Sequence, residues 1–166
     1  MATHARIARI VQRCHDLPGQ ELFQYLDDEG ARQSVEAEDV NAYLRAISGR
    51  EVTAKDFRTW AGTMIAAQAL REMGAASTKR AAEQNVVKAI EQTAARLGNT
   101  RSVCRKYYIH PALIESYLAG VVLPPTLGTE WKEREQSGPS LRRHEAEVLG
   151  FLNARLKAGA ETRLAS

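Results

Sequence analysis

The sequence predicts an all-α fold of six or seven helices with little or no β-sheet. Apolar residues recur at helical spacing in successive segments, and the first such set is Ile7, Ile10, Val11 and Cys14. Glycines such as Gly74 and Gly98 stand directly after the periodic segments, as they do at helix ends. No internal repeat and no low-complexity tract is present.

Seven segments carry the apolar periodicity of helices. They cover residues 5–14, 37–47, 54–73, 79–97, 100–107, 111–119 and 140–157. Residues 22–26 form a short apolar segment, strand or turn, and we expect Phe23 and Tyr25 to pack in the core. Residues 121–139 contain two successive prolines and predict a surface connection.

Capping residues support the boundaries of the longer helices. Thr78 or Ser77 is placed to cap the fourth helix, and Gly98 is placed to end it. Pro111 suits the first turn of the sixth helix, with His110 at its cap. The segment between Gly98 and Pro111 is therefore held between two well-defined helix ends.

Composition narrows the class of protein. The chain has 166 residues and a mass of 18.4 kDa, enough for one domain with a buried core. It has no long uncharged apolar run, and arginines occupy the region where a signal peptide is apolar, so we expect a cytoplasmic, nucleoid-associated protein with no membrane partner.

Cys14 and Cys104 are far apart, and histidines are not paired at ligand spacing, so no metal site is predicted. We expect a monomer, because no apolar heptad is evident.

Charge is unevenly distributed along the chain. The net charge is +3, with a sequence pI near 9.0. Residues 15–51 hold nine acids and three arginines, a balance of −6, so the rest of the chain carries +9. Between Arg96 and Tyr108 there are four cations and no acid, and two tyrosines end the run. This basic stretch predicts a site for an anion.

Phosphoryl transfer to a tyrosine is the chemistry that would use such a stretch. A phenol has a pKa near ~10 and is a weak nucleophile at neutral pH, so it needs neighbouring cations or a base. Fixed donors aimed at the developing phosphate charge supply a large part of catalysis, and arginine and asparagine side chains are suitable donors. The structural alternative is a basic helix end with two half-buried tyrosines.

Two sequence boxes resemble DNA topoisomerases of type IB, in their bacterial and poxvirus branch. The sequence LGN at residues 97–99, followed by YIHP at residues 108–111, resembles the active-site segment of that family. Upstream, TAKDFRTW at residues 53–60 resembles its second catalytic-arginine box. The order and spacing also fit, since Arg58 precedes Asn99 by 41 positions. The similarity extends along nearly the whole chain, and it implies a multi-helix catalytic subdomain of the topoisomerase IB and tyrosine recombinase type.

The resemblance implies the roles of individual residues. Tyr108 would attack a phosphate of double-stranded DNA and form a 3'-phosphotyrosyl link, with Tyr107 as the competing candidate for nucleophile. Arg58 would hold a non-bridging phosphate oxygen. Asn99 would be a transition-state donor, where the wider family commonly has histidine. Four further cations are expected to contact DNA: Lys55, Arg101, Arg105 and Lys106.

The implied reaction relaxes supercoiled DNA by transient single-strand cleavage, strand rotation and religation. It needs no ATP, metal or other cofactor, because the bond energy is kept in the covalent link. No small-molecule substrate is expected. DNA topological change is thus the activity that the resemblance predicts.

Two catalytic groups of the family are not identified in this sequence. They are a first arginine and a general-acid lysine from a small sheet, both upstream of the matched region, and none of Arg6, Arg9 and Arg13 has the surrounding motif. We therefore expect residues 1–166 to be a single helical domain, a C-terminal catalytic fragment without the N-terminal DNA-clamp domain and the small catalytic sheet. Such a chain alone would be inactive or nearly so.

Two other interpretations remain open. A tyrosine recombinase or integrase fragment shares the Tyr-x-His pattern of Tyr108 and His110, although Lys55 stands where recombinases usually have histidine. A non-catalytic helical module would bind DNA through phosphate contacts alone, with strong salt dependence. Strand exchange between two DNA partners would support the recombinase, and binding without covalent adduct would support the module.

Overall fold

The computed structural model describes residues 2–19, 21–124 and 139–164, and within these ranges the chain is predominantly helical. The elements in chain order are α1 (Ala2–His15), β1 (Gln24–Leu26), β2 (Arg32–Ser34), α2 (Ala37–Ser48), α3 (Ala54–Met73), α4 (Lys79–Leu97), α5 (Arg101–Val103), a π-helical turn (Cys104–Tyr108), α6 (Pro111–Leu118) and α7 (Pro139–Leu164). The predicted all-α class is confirmed. The short strands β1 and β2 form the one sheet in the described ranges.

The chain divides into two compact units, Met1–Ala54 and Lys55–Ser166. The organisation as a single domain stays a prediction. In the described ranges, no helix combines the length and the apolar character needed to cross a membrane.

A β-hairpin lies between the two helices of the N-terminal unit. Strands β1 and β2 are antiparallel and pair Gln24 with Ser34. Gln24 is buried and donates from Nε2 to the Leu17 carbonyl at 3.1 Å. Because successive side chains of an extended chain point to opposite faces, its neighbours Phe23 and Tyr25 lie on the other face and are 55% and 51% exposed. The prediction that these two aromatic residues pack in the core was wrong.

Helix α2 has well-defined ends. Glu36 and Asp39 form a reciprocal capping box at its start, and Gly49 ends it in the left-handed conformation. Its predicted apolar face is correctly periodic, but three of the side chains on it are exposed: Val40, Tyr43 and Ile47. Periodicity identified the residues that share a face without identifying their environment.

The C-terminal unit contains the hydrophobic core. Helices α3, α4, α6 and α7 contribute most of its buried side chains. Many are small, and the buried alanines are Ala66, Ala67, Ala69, Ala82, Ala89 and Ala94. Larger residues such as Leu70, Ile90 and Val148 fill the space between them. The sequence predicts an apolar face of α7 made of Val148, Leu149, Leu152 and Leu156; Val148 and Leu152 are buried as predicted, whereas Leu149 and Leu156 are half exposed.

The predicted helix caps of α4 and α6, on either side of the segment between Gly98 and Pro111, are confirmed. Thr78 Oγ1 accepts a hydrogen bond from the Ala81 amide at 3.1 Å, and His110 Nδ1 accepts one from the Ala112 amide at 3.2 Å. Gly98 adopts the left-handed conformation after α4, with φ of 64°. Most of the connection predicted over residues 121–139 lies outside the described residues.

Candidate active site

The turn after α4 fixes the position of Asn99. The Asn99 amide donates to the Ala94 carbonyl at 3.0 Å, which continues the helix termination begun at Gly98. The side chain then turns back, and its Nδ2 donates to the Leu97 carbonyl at 2.9 Å. Asn99 is half-buried. Its amide group is therefore held at the C-terminal end of α4.

Arg58 reaches the same carbonyl from α3. Its Nη2 donates to the Leu97 oxygen at 2.8 Å. The last carbonyls of a helix have no partner within the helix and carry partial negative charge, which favours a cation there. One oxygen thus receives hydrogen bonds from both predicted phosphate-binding side chains, which brings their donor groups close together.

Tyr108 completes this group of residues. The Arg58 guanidinium carbon lies 5.1 Å from the centroid of the Tyr108 ring, within the range of a cation–π contact. Tyr108 is half-buried and is the last residue of the π-helical turn. The structure therefore places Arg58, Asn99 and Tyr108 together, although the sequence separates Arg58 from Asn99 by 41 positions.

Buried residues anchor the π-helical turn at both ends. Cys104 begins the turn and is fully buried, and burial raises the pKa of its thiol while the positive charge of Arg58 opposes that rise. Ile109 follows Tyr108 in an extended conformation and is also buried. Single π-helical turns occur frequently at functional sites. The sequence predicted a short helix here but not its π-helical form.

Three residues of α3 that the sequence analysis did not identify contact the backbone around Tyr108. Thr59 Oγ1 lies 3.2 Å from the Tyr107 carbonyl, and Thr63 Oγ1 accepts from the His110 amide at 3.0 Å. Between them, Gly62 lies so close that a Cβ atom on it would be 2.2 Å from the Tyr108 carbonyl. A glycine in the middle of a helix was the available signal, because it costs stability unless a close approach requires it.

Two lysines flank the neighbouring tyrosine. Lys55 Nζ lies 5.4 Å and Lys106 Nζ 5.0 Å from the centroid of the Tyr107 ring. All three side chains are exposed. Two of the four predicted DNA contacts therefore lie against Tyr107, the residue before Tyr108, on an accessible surface.

The other two predicted DNA contacts are more distant from this group. Arg101 is exposed and forms an ion pair with Glu91 at 2.7 Å. Arg105 is exposed. Within the described part of the chain, no hydrogen bond, ion pair or ring contact joins either arginine to Arg58, Asn99 or Tyr108. Their assignment to DNA binding stays a prediction.

Helix α7 supports α3 behind the site. Trp60 Nε1 donates to Glu145 Oε1 at 3.1 Å. At the other end of α3, Arg71 contacts His144 Nδ1 at 2.6 Å and forms an ion pair with Glu147 at 3.1 Å. Burial lowers the pKa of His144, and the charge of Arg71 lowers it further. The helix that carries Arg58 is thus fixed at both ends.

The side chains of this site are suited to an anion rather than a metal ion. Three cationic side chains lie against the two tyrosines, and the Asn99 amide shares the Leu97 carbonyl with one of them, Arg58; all four side chains carry N–H donors. In the part of the chain that the structure describes, no cluster of three or more His, Cys, Asp or Glu side chains could hold a metal. A phosphate group beside Tyr108 is the ligand that this arrangement fits.

Comparison with known proteins points to one family. The family model of the eukaryotic DNA topoisomerase I catalytic core matches residues 2–120, which include Arg58, Asn99 and Tyr108. DNA topoisomerase 1B of Acanthamoeba polyphaga mimivirus is 32% identical over 108 residues, which cover 61% of this chain and 32% of that protein. The chain thus spans about a third of the length of this relative. The family model covers most of the chain and the viral relative is of type IB, so the resemblance read from the sequence is confirmed, and the chain belongs to the type IB DNA topoisomerase family.

Proposed function

We propose that this chain carries the nucleophile and two phosphate-binding groups of a type IB topoisomerase that relaxes supercoiled DNA. The supporting observation is the double contact of Arg58, which lies over the Tyr108 ring and shares the Leu97 carbonyl with Asn99. A nucleophile and its electrostatic stabilisers must lie within a few ångströms of one phosphate. The contacts among these three residues support that assignment.

In the proposed step, Tyr108 Oη forms a bond to a backbone phosphorus of duplex DNA. The bond from phosphorus to the 5' oxygen breaks, the phenol loses its proton, and the leaving oxygen gains one. Religation is the reverse attack of the 5' hydroxyl on the phosphotyrosine. Both directions conserve the phosphodiester, so neither ATP nor hydrolysis enters the reaction.

Arg58 and Asn99 stabilise the charge that develops during this attack. A phosphate oxygen is a charged acceptor, so it competes well with the neutral Leu97 carbonyl for the same two donors. The planar guanidinium of Arg58 presents several donors in a fixed fork, which suits two oxygens at once. Asn99 donates but does not transfer protons.

Exposed cations beside the site are proposed to hold the DNA backbone. Lys55 and Lys106 flank Tyr107, and Arg105 is exposed on the same turn. Arg101 would exchange its exposed ion pair with Glu91 for a phosphate, at little cost, since exposed ion pairs contribute about 0–1 kcal/mol. Such contacts are independent of sequence and weaken as salt rises.

The 166 residues alone are proposed to be inactive or nearly so on ordinary DNA. The resemblance assigns none of them as the first arginine or as the lysine that protonates the leaving oxygen. An alkoxide is a poor leaving group without an acid, whereas a thiol with a pKa near ~8.5 leaves as the thiolate. Replacing the leaving oxygen with sulfur removes the need for the lysine.

This difference provides the test. The purified chain is incubated with a pool of duplexes of randomised sequence, each carrying one 5'-bridging phosphorothiolate, and with the matched all-oxygen pool. We expect a slow covalent adduct with the sulfur pool and none with the oxygen pool. The Tyr108→Phe variant should give no adduct with either pool.

Three results would contradict parts of the proposal. Relaxation of a supercoiled plasmid by the 166 residues alone would show that the chain is catalytically sufficient. An adduct that persists in Tyr108→Phe would refute the nucleophile assignment. Salt-sensitive DNA binding without any adduct from the sulfur pool would identify the chain as a binding module instead.

A further inference from the structure

We propose that Gly62 and Thr63 of α3 are positioning residues that set the place of Tyr108 relative to Arg58. The inference rests on the proposed function for its catalytic meaning, but its structural content is independent of that function. It concerns how the backbone that carries the nucleophile is held. The observed contacts of both residues are with the backbone of Tyr108 and His110, so each would act through Tyr108.

The contacts fall on successive backbone groups of the segment that carries Tyr108. Gly62 packs against the Tyr108 carbonyl, and the buried Thr63 hydroxyl accepts from the His110 amide at 3.0 Å. One turn earlier, the Thr59 hydroxyl lies 3.2 Å from the Tyr107 carbonyl and 3.0 Å from the carbonyl of Lys55, so its single proton is shared between two acceptors. The stronger restraints therefore come from Gly62 and Thr63.

These contacts occur where the segment has few others of its own. Tyr108 ends a π-helical turn, and the next residue, Ile109, is extended, so local helical hydrogen bonding stops there. Backbone groups at a helix end need partners from elsewhere. The Thr63 hydroxyl supplies one of these partners for His110.

Helix α3 carries both Arg58 and Gly62, so one helix sets the position of the proposed phosphate-binding side chain and of the Tyr108 backbone. Arg58 lies one turn before Gly62 on α3, and helical residues four apart lie on the same face. The face that directs Arg58 toward the Tyr108 ring therefore also sets how close the Tyr108 backbone can come. Because Gly62 has no side chain, the Tyr108 carbonyl can approach α3 this closely.

The size of the effect follows from the contact distance. A Cβ atom at position 62 would lie 2.2 Å from the Tyr108 carbonyl oxygen and 3.1 Å from its carbonyl carbon. To restore ordinary contact, that backbone would move by about 1 Å. Misplacement of a reacting group by about 1 Å can reduce the rate about 10²-fold.

The test compares Gly62→Ala with Gly150→Ala, a matched control in α7 where an added Cβ atom meets nothing within 4 Å. A second pair, Thr63→Val and Thr63→Ser, removes or keeps the hydroxyl that accepts from His110. This pair serves if Gly62→Ala does not fold. Each variant is assayed for adduct formation at saturating phosphorothiolate DNA, for DNA affinity, and for amide hydrogen exchange over residues 107–110.

We expect Gly62→Ala and Thr63→Val to slow adduct formation about 10²-fold at unchanged DNA affinity, with faster exchange over residues 107–110. Gly150→Ala and Thr63→Ser should stay close to the parent protein in all three measurements. A role in stability alone would not separate rate from affinity in this way. Rescue by serine would show that the hydroxyl of Thr63, and not its methyl group, is the group required.

The outcomes distinguish this inference from the proposed function. If the parent chain forms the adduct and both Gly62→Ala and Thr63→Val keep its rate within about threefold, the positioning role is wrong and the function stands. If the parent chain forms no adduct, the proposed function fails. Hydrogen exchange alone then tests whether Gly62 and Thr63 restrain the backbone that carries Tyr108. Unchanged exchange over residues 107–110 in Gly62→Ala and Thr63→Val would then overturn the inference.

Discussion

Replacing Arg58 with alanine should affect catalysis far more than folding. The guanidinium is exposed, donates one hydrogen bond to the Leu97 carbonyl at 2.8 Å and lies 5.1 Å from the Tyr108 ring centroid. Contacts of a charged group at an accessible site contribute little to stability. We therefore expect the free energy of unfolding to fall by no more than about 1 kcal/mol.

The rate should change by much more. Removing one preorganised donor from a developing oxyanion typically slows a reaction about 10²–10³-fold, which corresponds to about 2.7–4 kcal/mol of transition-state stabilisation. Arg58→Lys keeps the positive charge but loses the planar fork, so its rate should lie between those of the parent protein and Arg58→Ala.

The assay measures the rate of covalent adduct formation at saturating phosphorothiolate DNA, alongside DNA affinity and thermal unfolding. Arg101→Ala is the matched control, because Arg101 is also exposed and also has one polar partner, Glu91 at 2.7 Å. We expect this control to bind DNA more weakly but to react at the parent rate once saturated. An equal loss of rate in both variants, or a rate for Arg58→Ala within threefold of the parent, would refute the role of Arg58.

Three further predictions concern single side chains. Asn99→Ala should slow adduct formation about 10²–10³-fold without abolishing it, measured at saturating DNA. Tyr117→Phe removes a buried hydroxyl that donates to the Gly74 carbonyl at 2.7 Å and accepts from a side-chain amide of α4, so chemical denaturation should show a loss of about 1–3 kcal/mol. Burial and the charge of Arg71 lower the pKa of His144. As the pH falls below about 6.5, the unfolded chain therefore binds more protons than the folded chain, and the free energy of unfolding should decrease. His144→Gln should flatten the dependence of melting temperature on pH.

Helix positions in this chain were predictable because their signals are local. Gly98 and Thr78 act within one turn of their own position, and the structure confirms both as helix boundaries. Burial was less predictable, because it depends on which elements pack together. Tyr25 lies on β1 and Phe23 directly precedes that strand, but the buried side chain of this segment is the polar Gln24, and no local pattern marks that face.

The candidate site was predictable where residue identity determines the chemistry. Arg58, Asn99 and Tyr108 were identified from two sequence boxes, and the structure brings them together. The residues that contact the backbone around Tyr108 were not identified, since the contacts of Gly62 and Thr63 span 46 and 47 positions of the sequence. Gly62 left one local signal, a glycine in the middle of a helix, but that signal does not identify the segment it contacts.

The most direct test of this account is to identify the residue that carries the DNA. The adduct formed with the phosphorothiolate pool is digested with nuclease and trypsin, and the modified peptide is analysed by tandem mass spectrometry. Tyr107 and Tyr108 share one tryptic peptide that begins after Lys106, so fragment ions must separate the two. We expect the nucleotide remnant on Tyr108, its retention in Tyr107→Phe and its loss in Tyr108→Phe. A remnant on Tyr107, or on any other side chain, would contradict it.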